Sequence, residues 1–174
     1  SMFKGSRNFA ISGGTFNNAY RDVNIYEEGL SILQRCASTS ASYNAEARYP
    51  PPRCHPETRK AVLHDLECWA NSTAGSDNSK ILWLYGPAGA GKSAIAQTFA
   101  QTCAKNENLI GSFFFWRSDS SRNNPERLFA TLALQMAVVV PQLRAIINAA
   151  IAHNPLAPKL SIEDQCDSLI IQPW

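Results

Sequence analysis

The stretch Gly86-Pro87-Ala88-Gly89-Ala90-Gly91-Lys92-Ser93 constrains this chain more than any other. It fits G-x-x-x-x-G-K-[ST], a loop that cradles phosphate. Its flanks suit that role. Ile81-Leu82-Trp83-Leu84-Tyr85, just before it, is a short apolar run that reads as a buried parallel strand. Ser93 to Ala100, just after it, lacks Gly and Pro and is rich in helix formers. Strand, glycine loop and helix follow in the order that such a motif needs. A mere glycine-rich turn with an exposed lysine would need neither flank.

The residue types carry the chemistry. Glycines let the backbone turn tightly and aim successive N–H groups at one anion. The following helix points its positive end at the same place. Lys92 reaches the β- and γ-phosphates, and the Ser93 hydroxyl ligates Mg²⁺. The expected nucleotide contacts are therefore Gly86, Pro87, Ala88, Gly89, Ala90, Gly91, Lys92 and Ser93, with Ser93 also the metal ligand. The expected cofactor is ATP or GTP with Mg²⁺, and nothing in the motif chooses the base.

A length of 174 residues with 45% hydrophobic content suits one globular domain. A net charge of +2, with no basic stripe interleaved with aromatics, argues against nucleic acid as partner. The longest apolar stretch, Leu128 to Val140, contains Thr131 and Gln135 and stops at Pro141, too short to span a bilayer. No membrane partner is expected. The 5 cysteines have wide spacings and no C-x-x-C, so neither a disulfide framework nor a zinc site is suggested. Reduced thiols and the absence of a signal peptide point to the cytoplasm. His55, His64 and His153 do not cluster, and no catalytic residue is assigned. Ser1-Met2 reads as a tag remnant or as a start inside a longer reading frame.

Composition divides the chain into three parts. Residues 1–38 form an N-terminal arm: a marginal hairpin around Asn8 to Gly14 or a disordered stretch, then a short helix from Glu27 to Ser38. Residues 39–53 form a linker, small and polar at first and then stiffened by Pro50-Pro51-Pro52. Residues 54–174 form the nucleotide-binding part. There Thr58 is expected to cap a helix from Arg59 to about Asn71, with Ala61, Val62, Leu66 and Trp69 on one face. Ser72 to Ser79 reads as a loop. Leu109 to Trp116, with its Phe113-Phe114-Phe115-Trp116 run, reads as a second strand. Trp69, Trp83 and these aromatics are expected in the core. Asn124 and Pro125 open a helix through Val140 that should be buried nearly all round, and Pro141 opens another through His153. Ser161 with Asp164 caps a last short helix. Strand, helix and strand imply a right-handed βαβ unit. The expected fold is α/β: a three-layer P-loop NTPase-type parallel sheet with flanking helices, incomplete at its C-terminus. It is incomplete because no apolar run ending in Asp or Glu follows the glycine loop to complete the Mg²⁺ shell. Arg59 and Arg117 are secondary candidates for phosphate or base contact.

With these segments in place, the sequence resembles a fungal signalling NTPase of the NACHT (STAND) type. More narrowly, it is similar to the nephrocystin-3-like N-terminal P-loop domain. Phe9 to Asn18, Cys54-His55-Pro56-Glu57-Thr58-Arg59, Ile81 to Ser93, Phe113 to Arg117 and Leu169 to Trp174 carry the resemblance. It implies a nucleotide-binding switch that exchanges or hydrolyses its nucleotide when a sensor is engaged and then self-associates, through the arm or the NTPase domain. It carries phosphate contacts onto Gly86 to Lys92 and the Mg²⁺ ligand onto Ser93. The resemblance also implies that the chain stops just before the acidic strand, so poor hydrolysis or none is expected. Two other readings share these features: a small-molecule or nucleoside kinase, and a non-enzymatic assembly adaptor.

Overall fold

The computed structural model describes residues 29–72 and 81–174. Its helices begin where the sequence supplies starts. The Asn124 side chain accepts from the Glu126 amide at 2.9 Å, opening a 3-10 turn, Pro125–Arg127, that runs directly into α4, Leu128–Val139. Val140 alone breaks the helix, and Pro141 then starts α5, Pro141–His153, where its missing N–H costs nothing. Ser161 accepts from the Asp164 amide at 3.2 Å and starts α6, Ile162–Cys166, which widens into a π-helical turn over Asp167–Ile171. Earlier in the chain lie α1, residues 29–36, α2, Lys60–Ala70, and α3, Lys92–Lys105. The hairpin around residues 8–14 and the loop over residues 73–79 lie outside the described residues.

The core is helix against helix. Leu33 of α1, Ala130, Ala133, Met136 and Ala137 of α4, Leu143, Ile147 and Ile151 of α5, and Leu169 of the π turn form one buried cluster. The small residues of α4 let its neighbours approach closely. α1 comes closer still to α5, because a Cβ on Gly29 would lie 2.5 Å from the Asn148 carbonyl oxygen. Polar stitches fix this arrangement. The Asn148 side chain accepts from the Leu30 amide, the Thr131 hydroxyl accepts from the Ser38 amide at 2.8 Å, and Arg127 donates to the carbonyls of Cys36 and Ala37. Residues 29–41 thus share one core with α4 and α5. No described helix is long and apolar enough to cross a membrane.

The expected α/β sheet is not there. Among the described residues no strand forms, and the fold is helical. Ile81 to Tyr85 and Leu109 to Trp116 run without regular structure. A strand exists only through a partner's backbone, and here the partners are different. The Gln135 side chain of α4 takes both backbone groups of Ser112, accepting from its N–H at 3.0 Å and donating to its carbonyl at 2.9 Å. The Phe114 amide donates to the Ala41 carbonyl, and the Trp116 amide to that of Arg122. These bonds take up the edge of Ser112, Phe114 and Trp116, and no ladder joins residues 109–116 to residues 81–85. The aromatics expected in the core are corrected accordingly. Trp83 is 82% exposed and Tyr85 81%, while Phe115 and Trp116 are more than half exposed. α4 is likewise not buried all round, since Val138 and Val139 face solvent. Thr58 does not cap α2 either: its hydroxyl donates to the His55 carbonyl, and Arg59, in the left-handed region, stands at the cap.

Candidate phosphate-binding site

The glycine run forms a tight turn that feeds straight into α3. Gly89 and Gly91 have φ of +79° and +85°, a region costly to any residue with a Cβ. A Cβ at either position would meet nothing within 4 Å, so the space beside both is open. Gly91 is the N-cap of α3 and supplies no capping side chain, which leaves the first amides of the helix without an internal acceptor. Lys92 folds over the turn, and its Nζ donates to the carbonyls of Gly86 and Pro87, each at 2.8 Å. Arg59 braces the far side, donating from Nη2 to the Ala90 carbonyl at 3.2 Å. Its own backbone is strained, at φ +59°. Arg59 therefore holds the loop's backbone, and it ties the start of α2 to the turn.

Beside the loop lies a cavity of about 210 Å³. Ser93, Arg48, Arg122, Tyr49, Phe115 and Trp116 line it. Arg48 is held from two sides: its Nη2 donates to the Gln97 side chain at 2.6 Å, and its guanidinium sits 3.8 Å from the Phe114 ring centre. Gln97, fully buried on α3, also donates to the Tyr43 carbonyl at 2.8 Å, so one side chain pins two points of the segment before α2. The Nε of Arg48 is buried without an acceptor. Burial, and secondarily the charge of Arg122, push Arg48 below the ordinary arginine value. Arg122 is itself buried, with its guanidinium 5.7 Å from the Trp116 ring centre. It donates from Nε to Asp119 Oδ2 at 2.7 Å. Asp119 Oδ1 accepts from both the amide and the hydroxyl of Ser121. Those Ser121 bonds, with the Arg122 bond next, pull Asp119 down to about 2.

The structure brings Gly86, Pro87, Lys92 and Arg59 together around the turn, and it sets Ser93 on the wall of the adjoining cavity. Arg117 is exposed, and its carbonyl accepts from Asn123. Sequence reasoning missed Arg48, Gln97, Asp119 and Arg122. Asp119 and Arg122, three apart just after the aromatic run, were the one local signal for a buried pair. Arg48 had none, because its partners lie far along the chain. A phosphate group fits the turn: the amides at the start of α3 lack helical acceptors, the flanking space is open, and an ammonium lies alongside. A metal ion would find only the Ser93 hydroxyl there. Among the described residues no group of His, Cys, Asp and Glu could hold one unaided.

Residues 57–172 match the family described as Nephrocystin 3, N-terminal. The match spans most of the chain, and the chain belongs to this family. No curated protein and no solved structure matches the chain.

Proposed function

We propose that this member of the Nephrocystin 3 N-terminal family binds the β- and γ-phosphates of ATP or GTP at Gly86 to Ser93, as the nucleotide-binding part of a NACHT-type signalling switch. The carrying observation is the Gly86 to Ser93 turn, with left-handed Gly89 and Gly91, an uncapped helix start and the Lys92 ammonium lying over it. The reading needs a loop and a helix start, and no sheet enters it. Lys92 exchanges its two carbonyl acceptors for phosphate oxygens, which are charged and so form stronger hydrogen bonds. The amides at the start of α3 turn toward the same oxygens. Ser93 would hold Mg²⁺ through its hydroxyl, and the metal would favour the charged phosphates there. Bound Mg²⁺ would neutralise charge between the phosphates.

Calorimetric titration of the chain with ATP and with GTP, in Mg²⁺, tests this. Lys92→Ala should weaken binding by about 2 kcal/mol or more, the loss of charge-assisted contacts. Equal affinity of the two proteins rejects the assignment.

A further inference from the structure

We propose that the cavity beside the loop takes the terminal phosphate of a nucleoside triphosphate, with Arg48 and Arg122 as the cations that tell triphosphate from diphosphate. The inference rests on the phosphate-loop reading and extends it to residues that no motif contains.

Ser93 carries the placement, because it closes the glycine run and also lines the cavity. A nucleotide whose β-phosphate sits on the turn directs its next phosphate past Ser93, and the cavity is what lies there. Charge supports the same conclusion. Two guanidiniums line the space, and Asp119 is the carboxylate that neutralises one of them. Asp119 has little left to give, since its oxygens already serve Ser121 and Arg122. The surplus positive charge is partly desolvated, where an anion is worth most. The buried Nε–H of Arg48 lacks an acceptor, and a buried donor left unmatched is costly. A phosphate that drew the guanidinium toward the cavity would supply that acceptor.

The geometry is also set in advance. The Arg48 guanidinium is seated over the Phe114 ring, 3.8 Å from its centre, which holds it in place on the cavity wall. Gln97 fixes the same guanidinium to α3, the helix that begins at the loop. Arg122 keeps further donors beyond the one given to Asp119. Arg48 belongs to the segment before α2, and Arg122 to the loop after residues 109–116. A third phosphate would therefore add a direct link between Arg48, Arg122 and the helix start, which a diphosphate cannot reach to make.

The test compares ATP with ADP, and GTP with GDP, by calorimetry in Mg²⁺. The unaltered chain should bind triphosphate about tenfold to a hundredfold tighter than diphosphate. Arg48→Gln should remove most of that preference and leave diphosphate affinity unchanged, whereas Lys92→Ala should weaken both. Arg122→Gln should act like Arg48→Gln. Because Arg122 is buried against Asp119, emission from Trp116 on the cavity wall gives a reading that needs neither arginine variant. Triphosphate should change it, diphosphate should not, and Trp116→Phe should abolish the difference. The inference is overturned if Arg48→Gln weakens both nucleotides alike, if it keeps the triphosphate preference, or if Trp116 responds equally to both. If Lys92→Ala alters neither affinity, the loop assignment itself fails, and the cavity assignment falls with it.

Discussion

Two halves of this molecule each carry apolar runs and treat water oppositely. In the half made by α1, α4, α5 and the π turn, Leu33, Ile147, Ile151 and Leu169 are 0% exposed. In the half around the glycine loop, Ile81, Trp83 and Tyr85 are each more than three-quarters exposed. The contrast lies in the backbone. A helix satisfies its own N–H and C=O groups and can bury a side chain by packing alone. An extended segment must first find a partner for its backbone. Residues 109–116 found theirs in Gln135, Ala41 and Arg122. Apolar composition sets what a segment stands to gain from burial, and backbone pairing decides whether it gets there.

The sharpest way to break this comparison is to cut one large side chain from each half. Ile147→Ala should cost about 2–5 kcal/mol in urea denaturation, the sum of lost transfer energy and a cavity. Trp83→Ala removes a larger side chain and should change stability by no more than about 0.5 kcal/mol. Equal costs would mean that the loop half is packed in solution.

A smaller effect is expected where the loop half is stitched to the segment before α2. Gln97 is fully buried and serves both Arg48 and Tyr43. Gln97→Leu fills the space but leaves a guanidinium and a carbonyl unpaired, and should cost about 3 kcal/mol. Proteolysis should then cut residues 39–53 earlier than in the parent. An unchanged cleavage pattern would show that Gln97 is not the pin.

On the core side the counterpart is Gly29. A Cβ there would stand 2.5 Å from the Asn148 carbonyl oxygen and 2.7 Å from its side-chain oxygen. Gly29→Ala should cost about 2 kcal/mol, the usual range for overpacking. Amide exchange should quicken first in α1. Uniform quickening across α4 and α5 as well would mean that α1 is not separable from them.

What the sequence made legible follows the same division. Helices whose starts are encoded locally were readable: Asn124 with Pro125, Pro141, and Ser161 with Asp164 stand at or beside real starts. The glycine turn was readable because its left-handed positions must be glycine. The sheet was misread because periodicity and apolar content describe only one strand's appetite for burial. Whether a neighbour is available depends on distant residues, and here the groups of Ser112 meet a side chain, Gln135, instead of a strand. The cavity was invisible for that same reason: Arg48 meets Gln97, and Cys54 meets Thr98, across spans of 49 and 44 residues. No local spacing encodes such pairs.

The smallest expected effect concerns acid, and it separates the halves by mechanism. Asp119 sits in the loop half with its value drawn down to about 2, by Ser121 first and Arg122 next. An unfolded aspartate titrates near about 3.9. A depressed carboxylate stabilises the fold fully above the unfolded value, and that contribution is lost as pH falls through the folded value. The parent should therefore lose stability between about pH 4 and pH 2 from this one group. Asp119→Asn should be less stable than the parent at neutral pH and flatter across that acid window, so the two curves converge toward pH 2. Ile147→Ala offers the control, since a cavity carries no proton and its cost should hold across the same range. Urea midpoints measured from pH 7 to pH 2 decide it. If the Asp119→Asn deficit stays constant down to pH 2, the carboxylate is not held by Ser121 and Arg122 as the geometry requires, and the wall that carries Arg122 is looser than its hydrogen bonds imply.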